Sequence, residues 1–232
     1  MINSILEYQQ CMSKPHIIIL LGNSGAGKGT QAELLLQTYS LEYIGSGNLL
    51  RTFSQSDHFS ARKIKQIMGA GRFVPSFLIG SLWTQIFEHI KNAESFAGFI
   101  LDGSPRRMEE AEVLDEALAW YEWEQYARFI YLHISDEEAL RRITHRKVCS
   151  ACGHTIPYTA DTAHLERCPQ CGGALVVRAD DKDIHAIQSR IAMFKKEVEP
   201  VLERYRSKNV LITVNGEQPI AHVLRDIEQQ LA

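Results

Sequence analysis

The chain has 232 residues, of which 45% are hydrophobic and 23% charged, and its formal net charge is −3. This composition is that of a globular protein with one large domain, or with a core that carries smaller insertions. The near-neutral charge argues against nucleic acid or a membrane surface as the main partner and favours a small dissociable ligand.

Residues 1–13 precede the first predicted strand, and we interpret them as a short N-terminal extension. They lack the basic start and long apolar stretch of a secretory signal. The sequence contains no run of about 18 apolar residues, so we expect no membrane-spanning helix. The five cysteines are an odd number, which argues for a reducing compartment rather than a disulfide scaffold. We therefore expect a cytoplasmic protein.

Apolar runs and helical patterns alternate along the chain. The predicted strands are residues 16–21, 98–105, 127–135 and 209–216, and the predicted helices include 30–39, 108–120 and 185–205. The strands are apolar without interruption, as in a parallel sheet that is covered on both faces. This order predicts an α/β fold with a mostly parallel sheet and right-handed crossovers.

Two segments interrupt this alternation, and we predict that each is an insertion on the core. Residues 45–74 read as short helical pieces punctuated by glycines, and residues 145–182 are rich in loops and contain four cysteines. The predicted core then consists of residues 14–44, 75–144 and 183–232.

A glycine-rich loop, GNSGAGKGTQ, follows the first predicted strand and opens a predicted helix. The order Gly22-x4-Gly27-Lys28-Gly29-Thr30 predicts a nest of backbone N–H groups around phosphate oxygens at a helix N-terminus. Lys28 would add a point charge, and the hydroxyl of Thr30 is a candidate contact for Mg²⁺. The alternative is a glycine-rich turn without a ligand. The loop alone does not distinguish a kinase from a GTPase, an ATPase or a transporter motor.

Four of the cysteines form two CxxC pairs separated by fifteen residues: Cys149, Cys152, Cys168 and Cys171. This spacing predicts a closed tetrahedral Zn²⁺ site with a structural role, in a segment too small to build its own core. The alternatives are reduced cysteines without a ligand, an iron–sulfur cluster and a nucleic-acid-binding zinc ribbon. Cys11 lies outside the pattern, and we interpret it as incidental.

Phosphoryl transfer requires cations around the transferring group. The candidate arginines are Arg51, Arg106, Arg142, Arg146, Arg178 and Arg190. A single arginine is more often a solvated surface residue, so the positions of these arginines in the chain distinguish them. Arg106 follows a predicted strand that ends in Asp102, and Arg142 and Arg146 have the spacing of one helix face. Asp102 itself is either a turn-forming residue or a holder of hydrated Mg²⁺.

Together these motifs resemble the adenylate kinases in their long form, which carries a zinc-bearing lid. The resemblance runs from about Lys14 to the C-terminus. GNSGAGKGTQA stands where the family usually has GAPGAGKGTQA, GSGNLLR where it has STGDMLR, and DGSPRR where it has DGFPRT. The family pattern RxxxRxxC is Arg142 to Cys149, and RxDD is Arg178 to Asp181.

The resemblance implies a P-loop three-layer α/β/α fold and the reaction of Mg²⁺·ATP with AMP to give two ADP. It also implies an acceptor-nucleotide domain at 45–74, a lid at 145–182 and a monomer. It implies that ATP is bound by Gly25, Ala26, Gly27, Lys28, Gly29, Thr30, Arg146, Thr155, Ile156 and the backbone of Gln218. AMP would be bound by Ser46, Arg51, Arg72, Phe73, Val74, Gly103, Ser104, Pro105, Arg106, Glu110, Arg178 and Arg190.

The catalytic role implied for this family is positioning, charge stabilisation and exclusion of water by lid closure, without a covalent or general-base residue. The charges would come from Lys28, Arg106, Arg142, Arg146, Arg178 and Arg190.

Several positions depart from the family pattern. Asn48, Ser104 and Arg107 replace the usual Asp, Phe and Thr, and one extra residue precedes Arg190. The main departure is Glu110, where the family usually has a glutamine that reads adenine. An ionised carboxylate only accepts hydrogen bonds, which would suit guanine better.

The sequence leaves several explanations of Glu110 and of the function open. Glu110 turns outward, or AMP binds through backbone contacts, or the acceptor is another nucleotide with GMP as the candidate. A nucleotide sensor without catalysis is a further alternative, which the retained lysine and arginines argue against.

Overall fold

The structure is a computed structural model that describes residues 16–93, 96–178 and 181–231. The predicted extension at 1–13 lies outside the described residues. The strands are β1 His16–Gly22, β2 Glu42–Gly45, β3 Gly98–Asp102, β4 Ala127–His133, β5 Lys147–Cys149, β6 Thr155–Ile156, β7 Leu175–Val177 and β8 Leu211–Asn215. The α-helices are α1 Lys28–Thr38, α2 Ser46–Phe53, α3 Phe59–Gly69, α4 Ser76–Lys91, α5 Met108–Trp120, α6 Asp136–His145, α7 Ile184–Met193, α8 Glu199–Ser207 and α9 Ile220–Gln229.

Five of the strands form one sheet in the order β2-β3-β1-β4-β8, and all neighbours in it are parallel. The predicted α/β fold is confirmed. The sheet contains one strand that the sequence analysis did not predict, β2. Two of its four residues are exposed, and only Tyr43 and Ile44 are apolar, so it lacks the continuous apolar run of the other strands.

Alternate residues of the central strand enter two separate apolar layers. On one face Ile17 and Ile19 pack in a cluster with residues of α4, α5 and α8, including Trp83 and Tyr205. On the other face Ile18 and Leu20 pack with residues of α1 and α9. Because both faces are covered, the strands are apolar throughout, and the fold has three layers.

The helical pattern predicted at 185–205 is one continuous helical segment with a π-helical turn, Phe194–Val198, between α7 and α8. The prediction that Arg142 and Arg146 share a helix face is wrong. The last residue of α6 is His145, and Arg146 has extended backbone angles (φ −68, ψ 130) that lead directly into β5.

The two segments that interrupt the alternation have structures of their own. The first contains α2 and α3, and the second contains a three-stranded antiparallel sheet in the order β6-β5-β7. No helix among residues 16–93, 96–178 and 181–231 is long and apolar enough to cross a membrane.

Candidate functional site

The glycine-rich loop connects the carboxyl end of β1 to the first residue of α1. Gly27 precedes the helix with φ of 93°, a left-handed conformation that favours glycine. No side chain caps the helix, so its first N–H groups face the loop. Lys28 Nζ donates to the carbonyl oxygens of Gly22 at 2.9 Å and Asn23 at 3.0 Å. This loop has the geometry of an anion site at a helix N-terminus.

The ammonium of Lys28 lies among other charges at the base of the site. Burial lowers its pKa to about 8, the charge of Asp102 opposes this shift, and the charges of Arg106 and Arg146 reinforce it. Lys28 is therefore held in an environment that disfavours its charge until an anion enters.

A cavity of about 450 Å³ opens beside this loop, and residues from the segments 45–74 and 145–182 also line it. The sequence-predicted site residues that line it are Gly25, Gly27, Lys28, Gly29, Thr30, Arg51, Arg72, Phe73, Val74, Asp102, Gly103, Arg106, Arg146, Thr155, Arg178 and Arg190. They come from positions as far apart as 25 and 190, so the fold gathers them. Six arginines and one lysine around one cavity make a site for a polyanion.

The other sequence-predicted residues do not line this cavity; they are Ala26, Ser46, Ser104, Pro105, Glu110, Arg142, Ile156 and Gln218. Pro105 lines a small adjoining cavity together with Arg106 and Arg190. Ser46 is the first residue of α2, and its buried Oγ has no hydrogen-bond partner within the described part of the chain. An orphaned hydroxyl of this kind is a potential ligand contact.

A buried carboxylate orients two of the arginines. Asp181 accepts from Arg146 Nε at 2.9 Å and Nη2 at 2.6 Å, and from Arg190 Nη1 at 3.0 Å. Burial lowers the pKa of the Arg146 guanidinium and the charge of Asp181 opposes the shift. Despite the extra residue before it, Arg190 therefore reaches the cavity.

Asp102 lies at the carboxyl end of β3, close to the start of α1. A Cβ atom at Gly29 would lie 3.8 Å from Asp102 Oδ2. The same oxygen accepts a hydrogen bond of 2.8 Å from the hydroxyl of Tyr43. Burial, followed by the charge of Asp102, raises the pKa of the Tyr43 phenol above its ordinary value.

The loop after β3 is held by Glu110, which lies on α5 and is only 3% exposed. Its Oε2 accepts from the backbone N–H of Arg106 at 2.7 Å. Burial raises the pKa of the Glu110 carboxyl, and the hydrogen bond from Arg106 opposes the rise. The interpretation that Glu110 turns outward is therefore wrong. The guanidinium of Arg106 donates from Nε to the carbonyl of Gly103 at 2.6 Å and lies 5.0 Å from the centre of the Phe73 ring.

Arg142 occupies a different environment from the other candidate arginines. It donates to Glu138 Oε1 at 2.6 Å and to the carbonyl of Gly216 at 2.9 Å, with a longer contact of 3.4 Å to the carbonyl of Gly25. It thus joins the glycine-rich loop to the end of β8 and does not line the cavity.

The four predicted metal-binding cysteines come together in the segment 145–182. The Sγ atoms of Cys149, Cys152, Cys168 and Cys171 all lie within 4.8 Å of one another, and none is in a disulfide. Two turns and the small sheet bring them there, since Cys149 ends β5. The cluster could hold a metal ion.

Sequence reasoning missed several residues of the cavity, among them Glu33, Tyr43 and His154. Glu33 Oε1 lies 3.5 Å from His154 Nδ1 and 3.4 Å from Gln170 Nε2, so it connects α1 to the segment that carries the cysteines. Nothing in the local pattern marks Glu33 or His154, because their contact spans more than 100 positions. Tyr43 had a signal, since it adjoins the GSGNLLR motif.

Known proteins match the chain over most of its length. The family model described as adenylate kinase matches residues 20–210. An adenylate kinase of Acetivibrio thermocellus is 34% identical over 216 residues, which are 93% of this chain and 97% of that protein. An adenylate kinase of Lachnospira eligens is 35% identical over 212 residues, or 90% and 97% of the two chains. One of Archaeoglobus fulgidus is 34% identical over 214 residues, or 91% and 95%.

Proposed function

Because this chain belongs to the adenylate kinase family, we propose that it transfers the γ-phosphoryl group of ATP to AMP and produces two ADP, reversibly. The observation that supports this most is the cavity between the glycine-rich loop and the segments 45–74 and 145–182, with Lys28 and six arginines in its wall. A reaction between two nucleotides needs such a surplus of fixed positive charge, because the reacting phosphates repel each other.

The ATP phosphates bind in the loop Gly25 to Thr30, where the backbone N–H groups and Lys28 neutralise their charge. Arg146 and Thr155 cover ATP from the inserted segment at 145–182, which acts as a lid. Ala26 belongs to the same loop, Ile156 follows Thr155 in the lid, and the backbone of Gln218 would contact the adenine.

AMP binds between the segment at 45–74 and the loop after β3. Arg51, Arg72 and Arg106 contact its phosphate, and Phe73 and Val74 bound its base. Ser46 offers a hydroxyl that has no other partner within the described part of the chain. Ser104, Pro105 and Glu110 act by holding the loop that presents Gly103 and Arg106. Because the carboxylate of Glu110 accepts the hydrogen bond of the Arg106 N–H, it gives no reason to expect GMP in place of AMP as the acceptor.

Catalysis needs no covalent intermediate. Lys28, Arg106, Arg146, Arg178 and Arg190 stabilise the charge that develops in transfer, and Arg142 holds the glycine-rich loop in place. Closure of the lid keeps water from accepting the phosphoryl group.

Mg²⁺ fits the oxygen donors of Thr30 and Asp102 at the start of α1, where the carboxylate lies 3.8 Å from the position of a Cβ at Gly29. When bound with ATP, it neutralises phosphate charge and keeps the reacting groups aligned. Four thiolates within 4.8 Å fit Zn²⁺ in a closed tetrahedral site, and we assign the cluster to a structural zinc. Reduced cysteines suit the cytoplasm, and we expect a monomer.

The proposal is tested by measuring diphosphate formation from Mg²⁺·ATP with AMP, GMP, CMP or UMP in parallel. We expect AMP to be the best acceptor by a wide margin. Lys28→Met serves as the control, because it removes the loop charge and would expose activity from a contaminating kinase.

Turnover of GMP above AMP would refute the assignment of the acceptor. Failure of every acceptor, together with retained ATP binding, would instead identify a nucleotide sensor.

A further inference from the structure

Tyr43 lies on β2 with its ring over the neighbouring strand. In the register of the sheet, Gly45 of β2 is paired with Asp102 of β3, and Tyr43 is paired with Ile100. Residues two apart in a strand share a face, so the Tyr43 side chain lies on the same face as position 45. From there its hydroxyl reaches diagonally across the sheet to Asp102 Oδ2 at 2.8 Å.

Position 45 has to be glycine for this arrangement. A Cβ atom there would lie 2.7 Å from the Tyr43 hydroxyl oxygen and 2.8 Å from Cε1 of the ring. Such distances are too short, and the flexible tyrosine side chain would move away from Asp102. The family pattern has serine at the first position of this motif. Here Gly45 takes that position and leaves the space that the Tyr43 side chain occupies.

The Tyr43 side chain is not a core residue. It is 38% exposed and lines the same cavity as Asp102 and Lys28. A polar cavity wall is an unusual place for an aromatic ring whose only task is packing. Its hydrogen bond occupies one carboxylate oxygen, Oδ2, and leaves Oδ1 for another partner.

We propose that Tyr43, with the space provided by Gly45, is a positioning residue that orients the Asp102 carboxylate towards the hydrated metal of the nucleotide. This inference rests on the proposed function, since it assumes that Asp102 faces Mg²⁺. Partners that orient a metal-facing carboxylate affect metal affinity or activity by about 10- to 100-fold.

The test compares Tyr43→Phe, which removes only the hydroxyl, with Tyr121→Phe. Tyr121 also donates to a carboxylate, Glu88 Oε2 at 3.0 Å, but away from the cavity, so its variant controls for loss of any such bond. For each protein, calorimetry measures the affinity for ATP with Mg²⁺ and with EDTA, and steady-state kinetics give kcat and the KM for AMP.

We expect Tyr43→Phe to reduce the strengthening of ATP binding by Mg²⁺, and kcat, by about 10-fold. ATP affinity in EDTA and the KM for AMP should remain within about 2-fold, and Tyr121→Phe should match the wild type. Gly45→Ala should reproduce these losses in the wild-type background and add nothing in a Tyr43→Ala background. A melting curve for each variant verifies that it is folded.

Equal binding losses in Mg²⁺ and in EDTA, or wild-type values for Tyr43→Phe, would overturn the inference. Asp102→Asn separates this failure from that of the proposed function. If Asp102→Asn abolishes the effect of Mg²⁺ while Tyr43→Phe does not reduce it, only the inference is wrong. If Asp102→Asn retains the full effect, the proposed role of Asp102 is wrong, and the inference falls with it.

Discussion

The carboxylate of Asp181 is fully buried and accepts two hydrogen bonds from the guanidinium of Arg146, at 2.9 Å and 2.6 Å. Arg190 donates to the other carboxylate oxygen at 3.0 Å. Removal of this carboxylate leaves two cations side by side in a partly dry site. Removal of one partner of a buried ion pair lowers the free energy of unfolding by several kcal/mol, because the other charge remains buried.

Asp181→Ala should therefore lower the free energy of unfolding by about 3–5 kcal/mol and also reduce kcat. Denaturant unfolding measures the first effect and the coupled assay the second. Asp57→Ala is the matched control, because its ion pair with Arg62 is exposed and contributes at most about 1 kcal/mol. Equal effects of the two substitutions would show that the buried carboxylate of Asp181 does not stabilise Arg146 and Arg190 more than an exposed ion pair would.

Lys28 is predicted to destabilise the protein in the absence of nucleotide. Its pKa is lowered from 10.5 to about 8, so between these values the unfolded chain binds more protons than the folded one. Stability from this group therefore rises with pH across that window, and its charge is unfavourable below about pH 8. Lys28→Met should abolish activity yet unfold at higher denaturant concentration at pH 7.

The free energy of unfolding of Lys28→Met should exceed that of the wild type by a fraction of roughly 3 kcal/mol. The gain is only a fraction because methionine also loses the hydrogen bonds to Gly22 and Asn23. The difference between the two proteins should shrink as the pH rises from 7 to 10. A difference that stays constant with pH would show that the ammonium is not the cause.

The cysteine cluster makes a prediction about metal removal. Chelation should lower the melting temperature, because the four cysteines cross-link two turns around a sheet of only eight residues. Cys168→Ser should contain less than one equivalent of zinc and should lose the response to the chelator. Cys11→Ser, outside the cluster, should keep the full zinc content and the response to the chelator. An unchanged melting curve for metal-free protein would argue against a structural metal.

Glu110 is expected to act on AMP through the Arg106 loop. Glu110→Ala removes the acceptor of the Arg106 N–H and should raise the KM for AMP by about 10-fold, the effect of a hydrogen bond of roughly 1.5 kcal/mol. The KM for ATP should not change. Glu110→Gln keeps a carbonyl oxygen at this position and should have a much smaller effect. If instead the wild type preferred GMP and Glu110→Gln preferred AMP, the side chain at position 110 would contact the base directly.

Local sequence was sufficient to predict the layers of the fold and the chemistry of its motifs. Continuous apolar runs such as 16–21 can be buried only in a sheet covered on both faces, and GAGKGT is a loop that only a phosphate ligand explains well. The spacing of four cysteines likewise predicted their cluster. In each case the interacting groups are close in sequence, or their residue types permit few alternatives.

Tertiary structure decided the contacts between distant positions. The short, half-exposed strand β2 forms because β3 offers a free edge, and with it comes the hydrogen bond from Tyr43 to Asp102, 59 positions away. Arg142 and Arg146 have the spacing of one helix face, yet α6 ends between them because Arg146 is bound by Asp181. The side chain of Glu110 points inward, where it accepts the hydrogen bond of the Arg106 backbone N–H. Local sequence cannot determine such choices, since each depends on which polar partner the folded chain places within about 3 Å.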